Sequence, residues 1–266
     1  MSILTARLAA ARAEGRSALV SYLPVGYPNV ETSVAAMTAT VEGGADIVEI
    51  GVPYSDPGMD GPTIQRAVDA AVRSGVGMRD VLRAVEGVAA AGGVPMVMSY
   101  WNPIERYGIG RFARDLAAAG GAGAITPDLI PDEAAEWIAA ADEADLDRVF
   151  LVAPSSTDAR LAMTSAACRG FVYAASTMGV TGTRDAVSSV APALVARVRA
   201  VSDLPVAVGL GVSTGSQAAE IARYADAVIV GSAFVRALLD AADEGAGVLA
   251  AQELAAELAA GVRQRT

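Results

Sequence analysis

The chain has 266 residues, 53% of them hydrophobic and 19% charged, which is enough apolar material for a large core and excludes a disordered chain. Its formal net charge of −10 excludes a surface built for nucleic acid or anionic membranes, because both need clustered Lys and Arg. The sequence has no histidine, no lysine and one cysteine, Cys168, which excludes a Schiff base, a Ser-His triad, the usual zinc sites and an internal disulfide.

The predicted elements begin with an amphipathic helix in residues 1–15, which lack the continuous apolar stretch of a signal peptide. No later apolar run reaches the ~20 residues that span a bilayer without an intervening Gly, Pro or charge, although the mean hydropathy is +0.40. A cytoplasmic protein is the expectation, and the unpaired cysteine agrees with a reducing compartment.

Short β-branched runs then alternate with alanine-rich stretches to the end of the chain. The predicted strands are residues 19–23, 46–51, 94–99, 123–126, 148–152, 170–174, 205–209 and 226–230. The predicted helices are residues 30–42, 62–73, 78–91, 109–118, 132–144, 158–166, 185–201, 214–222, 232–240 and 248–261. Asn29, Asp132 and Thr214 are predicted helix caps. Eight strand–helix units favour an α/β fold, a single (β/α)8 TIM barrel over residues 1–266, with an N-terminal capping helix and extra helices after strands 2 and 8.

Active sites of such barrels lie at the carboxyl ends of the strands, and the second predicted strand carries an acid there. Alternation places Ile47, Glu49 and Gly51 on one face and Val48 and Ile50 on the other. A carboxyl group in an apolar strand loses solvation, which raises its pKa toward the range of a general acid/base. The alternative is a structural glutamate that pairs with a buried arginine.

Further side chains follow the predicted strands. Asp60 could serve the same site or simply cap the next helix. Tyrosines end the first, third and sixth strands: Tyr22, Tyr100 and Tyr173. Apolar residues at or near the ends of the predicted strands could line a pocket with them: Leu23, Met98, Ile125 and Leu210. Together these side chains indicate an aromatic-sized apolar pocket, although any one alone is more often plain core.

Glycine-rich turns follow the last three predicted strands. They are residues 179–182, GVTG, residues 209–213, GLGVS, and the pair Gly231 and Ser232. In this fold a phosphate commonly rests on the loops after strands 7 and 8, where helix N-terminal N–H groups bind it without a basic side chain. Tight turns and a Ser232 helix cap are the alternative for any one loop, whereas three such loops favour a phosphate site.

Residues 48–65, VEIGVPYSDPGMDGPTIQ, resemble the sequence around the catalytic glutamate of tryptophan synthase alpha chains. Shorter matches lie at residues 22–28, 127–129, 179–182, 209–211 and 231–233. The motif after the second strand is long and specific, whereas the glycine turns alone fit several phosphate-binding barrels. Two departures lie in the loops expected to close over substrate: Gly58-Met59 replaces the more usual Leu-Ala, and Thr177-Met178 replaces an arginine and a small residue.

The resemblance implies a retro-aldol cleavage of indole-3-glycerol phosphate to indole and glyceraldehyde 3-phosphate in L-tryptophan biosynthesis. Glu49 would be the general acid/base, Asp60 would accept a hydrogen bond from the indole N–H, and Tyr173 would assist near the glycerol carbons. The implied phosphate contacts are Gly182, Gly211, Gly231 and Ser232, and the implied pocket residues are Tyr22, Met98, Tyr100, Ile125, Thr181 and Leu210. The reaction needs no lysine, because the indole ring, once tautomerised at C3, takes up the electrons of the breaking bond.

The resemblance also implies a partner. In the family the alpha chain binds a pyridoxal-phosphate beta chain in an αββα heterotetramer and passes indole to it through a tunnel, with allosteric coupling. Pro53, Asp56 and Asn102 would lie on the face toward that partner. No cofactor and no metal are expected on this chain itself.

Three alternatives compete with this prediction. Another phosphate-binding barrel is one, but a sugar-phosphate epimerase usually needs metal-binding histidines and indole-glycerol-phosphate synthase needs a lysine, and neither residue type occurs here. A non-catalytic barrel kept as an allosteric partner of the beta chain is disfavoured by the presence of both Glu49 and Asp60. A lyase that releases indole without any beta chain is the third.

Overall fold

The buried apolar runs form one parallel sheet in the structure, a computed structural model that describes residues 1–175, 190–209 and 211–264. Within these ranges the strands are β1 (Ala18–Pro24), β2 (Ile47–Gly51), β3 (Val94–Met98), β4 (Gly123–Ile125), β5 (Asp147–Val149), β6 (Leu151–Val152), β7 (Val172–Ala175), β8 (Val206–Gly209) and β9 (Ala227–Val230). Neighbouring strands follow the order β5-β4-β3-β2-β1-β9-β8-β7-β6. Every predicted strand has its counterpart, within one or two residues at each end.

The sheet closes into a barrel at Phe150. β5 pairs with β4 and β6 pairs with β7, and only Phe150 separates β5 from β6, so the two segments together form the fifth strand of the barrel. The Phe150 carbonyl accepts a hydrogen bond from the Tyr173 N–H at 3.3 Å, and the Phe150 N–H donates to Cys168 Sγ at 3.4 Å. The nine strands in the described ranges thus make the eight barrel strands of the predicted (β/α)8 fold.

Helices cover the outside of the barrel. In the described ranges they are α1 (Ile3–Ala13), α2 (Val30–Glu42), α3 (Pro62–Arg73), α4 (Met78–Ala90), α5 (Trp101–Tyr107), α6 (Ile109–Ala118), α7 (Ala135–Glu143), α8 (Asp158–Ala167), α9 (Val190–Arg199), α10 (Gly215–Ala222), α11 (Ser232–Leu239) and α12 (Glu244–Val262). Asn29 and Thr214 cap α2 and α10 as predicted, since their side chains accept the N–H groups of Thr32 and Gln217. The extra helices after β2 and β9 are confirmed.

Some details of the helices differ from the sequence prediction. Asp132 is not the helix cap, because α7 begins only at Ala135 and the Asp132 carboxylate instead binds Arg160 at 2.5 Å. Trp101–Tyr107 forms α5, a helix that the sequence pattern does not predict; its proline lies in the first turn, where proline is tolerated. The predicted helix 185–201 appears as α9, and its residues 185–189 lie outside the described residues.

The two faces of the sheet bury two separate apolar clusters. Val48 and Ile50 of β2 face the helices, whereas Ile47 faces the barrel interior, as alternation predicts. Leu4 and Leu8 of α1 join the interior cluster, so α1 is the predicted capping helix and closes the barrel at one end. The carboxyl ends of the strands remain for a site. The assignment of residues 1–266 to one domain stays a prediction. No helix in the described ranges is long and apolar enough to cross a membrane.

Candidate active site

Glu49 lies in the middle of β2, on the face that points into the barrel. It pairs in register with Tyr22 of β1 and Met96 of β3. Glu49 is 1% exposed, and burial raises its pKa to about 8, so the carboxyl group is mainly protonated at neutral pH. Among the described residues no arginine pairs with Glu49, and its Oε1 has no hydrogen-bond partner. The alternative of a structural ion pair therefore has no support in the described part of the chain.

Asp60 is the second buried acid at this end of the barrel. The Tyr100 hydroxyl lies 3.4 Å from Asp60 Oδ1 and accepts the Met59 N–H at 2.8 Å, so Tyr100, the second residue after β3, holds the loop after β2. Burial raises the pKa of Asp60, while the Tyr100 hydroxyl lowers it. The residue before α3 is Gly61, which makes no side-chain cap, so the alternative role of Asp60 as the helix cap is wrong.

Tyr22 and Tyr173 add two hydroxyls from β1 and β7. Burial raises the pKa of both side chains well above the ordinary value, so both hydroxyls are hydrogen-bond donors at any working pH. The charge of Glu49 raises the pKa of both tyrosines further, and Asp60 and Tyr100 also raise that of Tyr22. Side chains from four barrel strands and their loops thus converge on one place.

Two strand-end glycines make room for these tyrosines. A Cβ atom at Gly51 would lie 2.6 Å from the Tyr22 hydroxyl oxygen, and a Cβ atom at Gly209 would lie 2.5 Å from the Tyr173 hydroxyl oxygen. Real Cβ atoms do not approach so closely, so each glycine is a condition for the tyrosine beside it. Neither glycine is predicted from the sequence to have this role; the signal that the sequence offers is a glycine at the last position of a buried strand.

The apolar wall of the pocket stays a prediction, and the structure places two of its residues on the barrel-interior side. Ile125 is buried in the interior cluster, and Met98 packs partly buried against it. Leu23 does not face the pocket, since it alternates with Tyr22 along β1 and packs with the helix-side cluster. The remaining predicted residues, Thr181, Gly182 and Leu210, lie outside the described residues, as does the Thr177-Met178 pair.

The predicted phosphate end contains a helix start that lacks a side-chain cap. Gly231 is the N-cap residue of α11, and Ser232 is the first helical residue, so the alternative of Ser232 as the cap is wrong. Ser232 is 8% exposed, and Gly211 in the neighbouring loop has φ of +40°, which favours glycine. A helix N-terminus with free N–H groups attracts an anion.

The residues expected to face a partner lie around the same loop. Asp56 is exposed and Pro53 is half-buried. Asn102 Nδ2 of α5 donates to the Tyr54 hydroxyl at 3.2 Å, and the Tyr54 ring packs on the Tyr100 ring with centroids 5.4 Å apart. A chain of contacts therefore runs from Asn102 at this face through the two tyrosine rings to Asp60.

A closed parallel barrel with two desolvated carboxyl groups at the carboxyl ends of its strands defines a TIM barrel with a candidate acid–base site. Known proteins give the family. The sequence profile described as tryptophan synthase alpha chain matches residues 8–263, and the chain belongs to this family of lyases, which carries out the alpha reaction of tryptophan biosynthesis and works with a beta chain.

Individual relatives agree. The tryptophan synthase alpha chain of Mycobacterium marinum is 69% identical over 254 residues, which cover 96% of this chain and 92% of that protein. The tryptophan synthase structure from Mycobacterium tuberculosis superposes with a TM-score of 0.93 at 63% identity, covering 98% of both chains. The alpha chain structure from Legionella pneumophila superposes with a TM-score of 0.89 at 29% identity, covering 98% of this chain and 97% of that one.

Proposed function

We propose that this chain cleaves indole-3-glycerol phosphate to indole and glyceraldehyde 3-phosphate by a retro-aldol route in which Glu49 moves the protons. The observation that carries the proposal is the state of this side chain: 1% exposed, with its pKa raised to about 8 and its Oε1 without a partner among the described residues. A carboxyl group that is protonated at neutral pH but close to its pKa is suited to give up a proton and take one back.

The steps balance around this one group. Glu49 donates its proton to C3 of the indole ring, which leaves an indolenine cation and a carboxylate. The carboxylate then takes the proton from the hydroxyl group on the carbon attached to C3. The bond between that carbon and C3 breaks, its electrons restore the aromatic ring, and the hydroxyl carbon becomes the aldehyde. Glu49 ends the cycle protonated, as it began.

Asp60 and Tyr173 support the same steps. Asp60 accepts a hydrogen bond from the indole N–H and stabilises the positive charge that the ring acquires, an electrostatic role for which a buried carboxylate is effective. Tyr173 donates a hydrogen bond near the glycerol carbons, since its hydroxyl is protonated and lies close enough to Glu49 to feel its charge. The reaction with Glu49 and Asp60 needs no imine intermediate, which a chain without lysine cannot form.

The phosphate group is held at the other end of the pocket. We assign it to the N-terminus of α11, where Gly231 and Ser232 present backbone N–H groups, and to the loop at Gly211. Gly182 would add a contact from the loop after β7. No basic side chain is required at this end, which agrees with the acidic balance of the chain.

We further propose that the partner is a beta chain with pyridoxal phosphate, in an αββα assembly that receives indole through a tunnel. Pro53, Asp56 and Asn102 are assigned to the contact face. The contacts of Tyr54 with Asn102 and with Tyr100 support this assignment, because they give the face a direct route to Asp60.

The test is indole release from indole-3-glycerol phosphate by purified protein, alone and with a tryptophan synthase beta chain. Release by the chain alone, with faster release when the beta chain is added, is the expected result. No release in either condition by correctly folded protein would overturn the proposed reaction and leave a non-catalytic barrel. Equal rates in both conditions, with complex formation demonstrated, would overturn the coupling only.

A further inference from the structure

The Tyr22 ring lies between the two ends of the candidate site. On one side a Cβ atom at Gly51 would lie 2.6 to 2.9 Å from its hydroxyl oxygen, Cε2 and Cζ. On the other side a Cβ atom at Gly231 would lie 3.2 Å from its Cδ1 and 3.5 Å from its Cβ. The ring therefore occupies the space that a side chain at Gly51 would take, and it packs closely beside the backbone of Gly231 at the start of α11. Its base adjoins the phosphate end, and its hydroxyl reaches the end that holds the acids.

The hydroxyl at the tip of this ring has no assigned partner. Tyr22 is 8% exposed, and its hydroxyl makes no hydrogen bond with any of the residues that the structure describes. A tyrosine hydroxyl without a protein partner can donate a hydrogen bond to a bound group or to a neighbouring acceptor. The hydroxyl is therefore available as a donor inside the site.

The titratable groups around this hydroxyl are two carboxyl groups and two other tyrosines. Among these groups, Asp60 from the loop after β2 raises the pKa of Tyr22 most. Tyr100 after β3, Glu49 of β2 and Tyr173 of β7 follow in that order. β9, which pairs with β1 on its other side, contributes no titratable side chain, because its sequence is Ala-Val-Ile-Val. α3 begins directly after Gly61 and packs against β1, which brings Asp60 to the side of the barrel where Tyr22 lies.

We propose that Tyr22 is a positioning residue, whose hydroxyl donates a hydrogen bond to the Asp60 carboxylate in the substrate complex and so keeps Asp60 ionised and aimed at the indole N–H. The inference deepens the proposed function and rests on it. Tyr100 approaches Asp60 Oδ1 from the β3 side, at 3.4 Å. Tyr22, which is packed over Gly51 on the β1 side, supplies a second donor, and two donors fix the direction of a carboxylate where one leaves it free to turn.

Replacing Tyr22 by phenylalanine tests the hydroxyl alone. Y22F keeps the ring that packs on Gly51 and Gly231 and removes only the donor. We expect kcat for indole-3-glycerol phosphate to fall about tenfold, since hydrogen bonds to charged groups are the strong ones. We also expect the acid limb of the kcat/KM profile to move to higher pH by about one unit, because an unassisted buried carboxylate is harder to ionise. A tenfold loss in kcat with little change in KM marks an interaction made in the transition state.

The matched control is Y224F. The Tyr224 hydroxyl, like that of Tyr22, has no partner among the described residues, but Tyr224 follows α10, outside the site. This variant should leave both kcat and the pH profile of wild type unchanged. Thermal unfolding of Y22F, Y224F and wild type at one pH shows that all three chains are folded before rates are compared.

Each outcome decides the inference. Lower kcat together with a shifted acid limb supports it. Wild-type behaviour of Y22F overturns it, and so does a higher KM with an unmoved acid limb, because the side chain is then only part of the pocket wall. A failure of the proposed function is recognised separately, since wild-type protein assayed alongside would then release no indole.

Discussion

The Tyr100 hydroxyl lies 3.4 Å from Asp60 Oδ1, so a side chain that follows β3 contacts the acid at the end of the loop that follows β2. The same hydroxyl accepts the Met59 N–H at 2.8 Å, which fixes the backbone one residue before the acid. The two departures from the family pattern in this loop, Gly58 and Met59, therefore lie at a place where a hydrogen bond, and not only packing, sets the loop position.

Replacing Tyr100 by phenylalanine should remove both bonds at once. We expect kcat/KM for indole-3-glycerol phosphate to fall about tenfold or more, because a hydrogen bond to a charged group and the loop anchor are both lost. The pKa of Asp60 should rise further, since the Tyr100 hydroxyl lowers it in the intact protein. The acid limb of the rate profile then moves to higher pH.

The control for this variant is Y107F. The Tyr107 hydroxyl also bonds to an aspartate, Asp115 at 2.6 Å, but on the outer helices α5 and α6. An unchanged rate profile in Y107F and a changed one in Y100F would tie the effect to the site. Equal profiles in Y100F and wild type would contradict the role of Tyr100.

Replacing Glu49 by glutamine should abolish proton transfer while preserving shape. We expect kcat to fall by about 10²–10⁴-fold or more, with the binding of an uncleavable indolyl-alkyl phosphate retained. Single-turnover kinetics and equilibrium binding measure the two quantities separately. Cleavage at a near wild-type rate would show that another group moves the protons.

The pH dependence of stability tests the burial of Glu49 without any assay of activity. The folded-state pKa of about 8 is above the ordinary value of 4.5. The stability that Glu49 contributes is therefore complete below pH 4.5 and is lost as the pH rises through about 8. Glutamine does not titrate, so the Tm of E49Q relative to wild type should increase from about pH 5 to about pH 9. A constant difference would mean that this carboxyl group is solvated. In the same pH range, kcat/KM of wild type should fall above about pH 8, as Glu49 loses the proton it donates.

Replacing Tyr54 by phenylalanine should weaken the response to the beta chain. The variant loses the 3.2 Å bond from Asn102 but keeps the ring that packs on Tyr100. We expect the rate of the isolated chain to change little and the acceleration by added beta chain to decrease. The pair Y54F and N102A should be non-additive, as is usual for partners in one bond. Full acceleration in Y54F at saturating beta chain would exclude this contact from the coupling.

A separate prediction concerns the stability of the barrel. Arg16 binds both oxygens of Asp46 at 2.6 and 2.9 Å, and both residues are buried. R16Q should lower the free energy of unfolding by about 3–5 kcal/mol, because it leaves the Asp46 carboxylate buried without its partner. R73Q removes an exposed pair with Asp69 and should change stability by less than about 0.5 kcal/mol. Denaturant unfolding of the two variants compares them directly, and equal costs would contradict the argument.

The barrel was predictable because its signals are local. β-branched runs bounded by glycine or alanine-rich helices identify each strand, and alternation along β2 correctly separates Glu49 from Val48 and Ile50. α5 is missed because a seven-residue helix with a proline in its first turn has no periodic pattern. Asp132 is misjudged as a cap because a distant arginine, Arg160, competes for its carboxylate. Competition of this kind depends on tertiary contacts, which no local pattern contains.

The candidate site was predictable where one residue is chemically out of place, as Glu49 is within an apolar strand. The contacts between side chains that hold the site together could not be predicted from the sequence. That the Tyr22 ring needs Gly51 and packs beside Gly231, and that Tyr100 reaches Asp60, depends on the closure of the sheet, which brings distant parts of the chain within a few ångströms. The prediction that Leu23 lines the pocket is wrong, because Leu23 pairs with Ile50 on the helix side of the sheet, whereas Tyr22 pairs with Glu49 on the interior side.

The closure at Phe150 has a consequence for association. An open parallel sheet ends in a row of unsatisfied amides that can recruit a foreign strand. Here the two segments beside Phe150 bond to opposite neighbours, so none of the long strands in the described ranges presents such a row. Any associating protein must recognise side chains on helices and loops. Substitutions on the helices and loops can therefore change the affinity for a partner without changing the hydrogen bonds between the strands of the barrel.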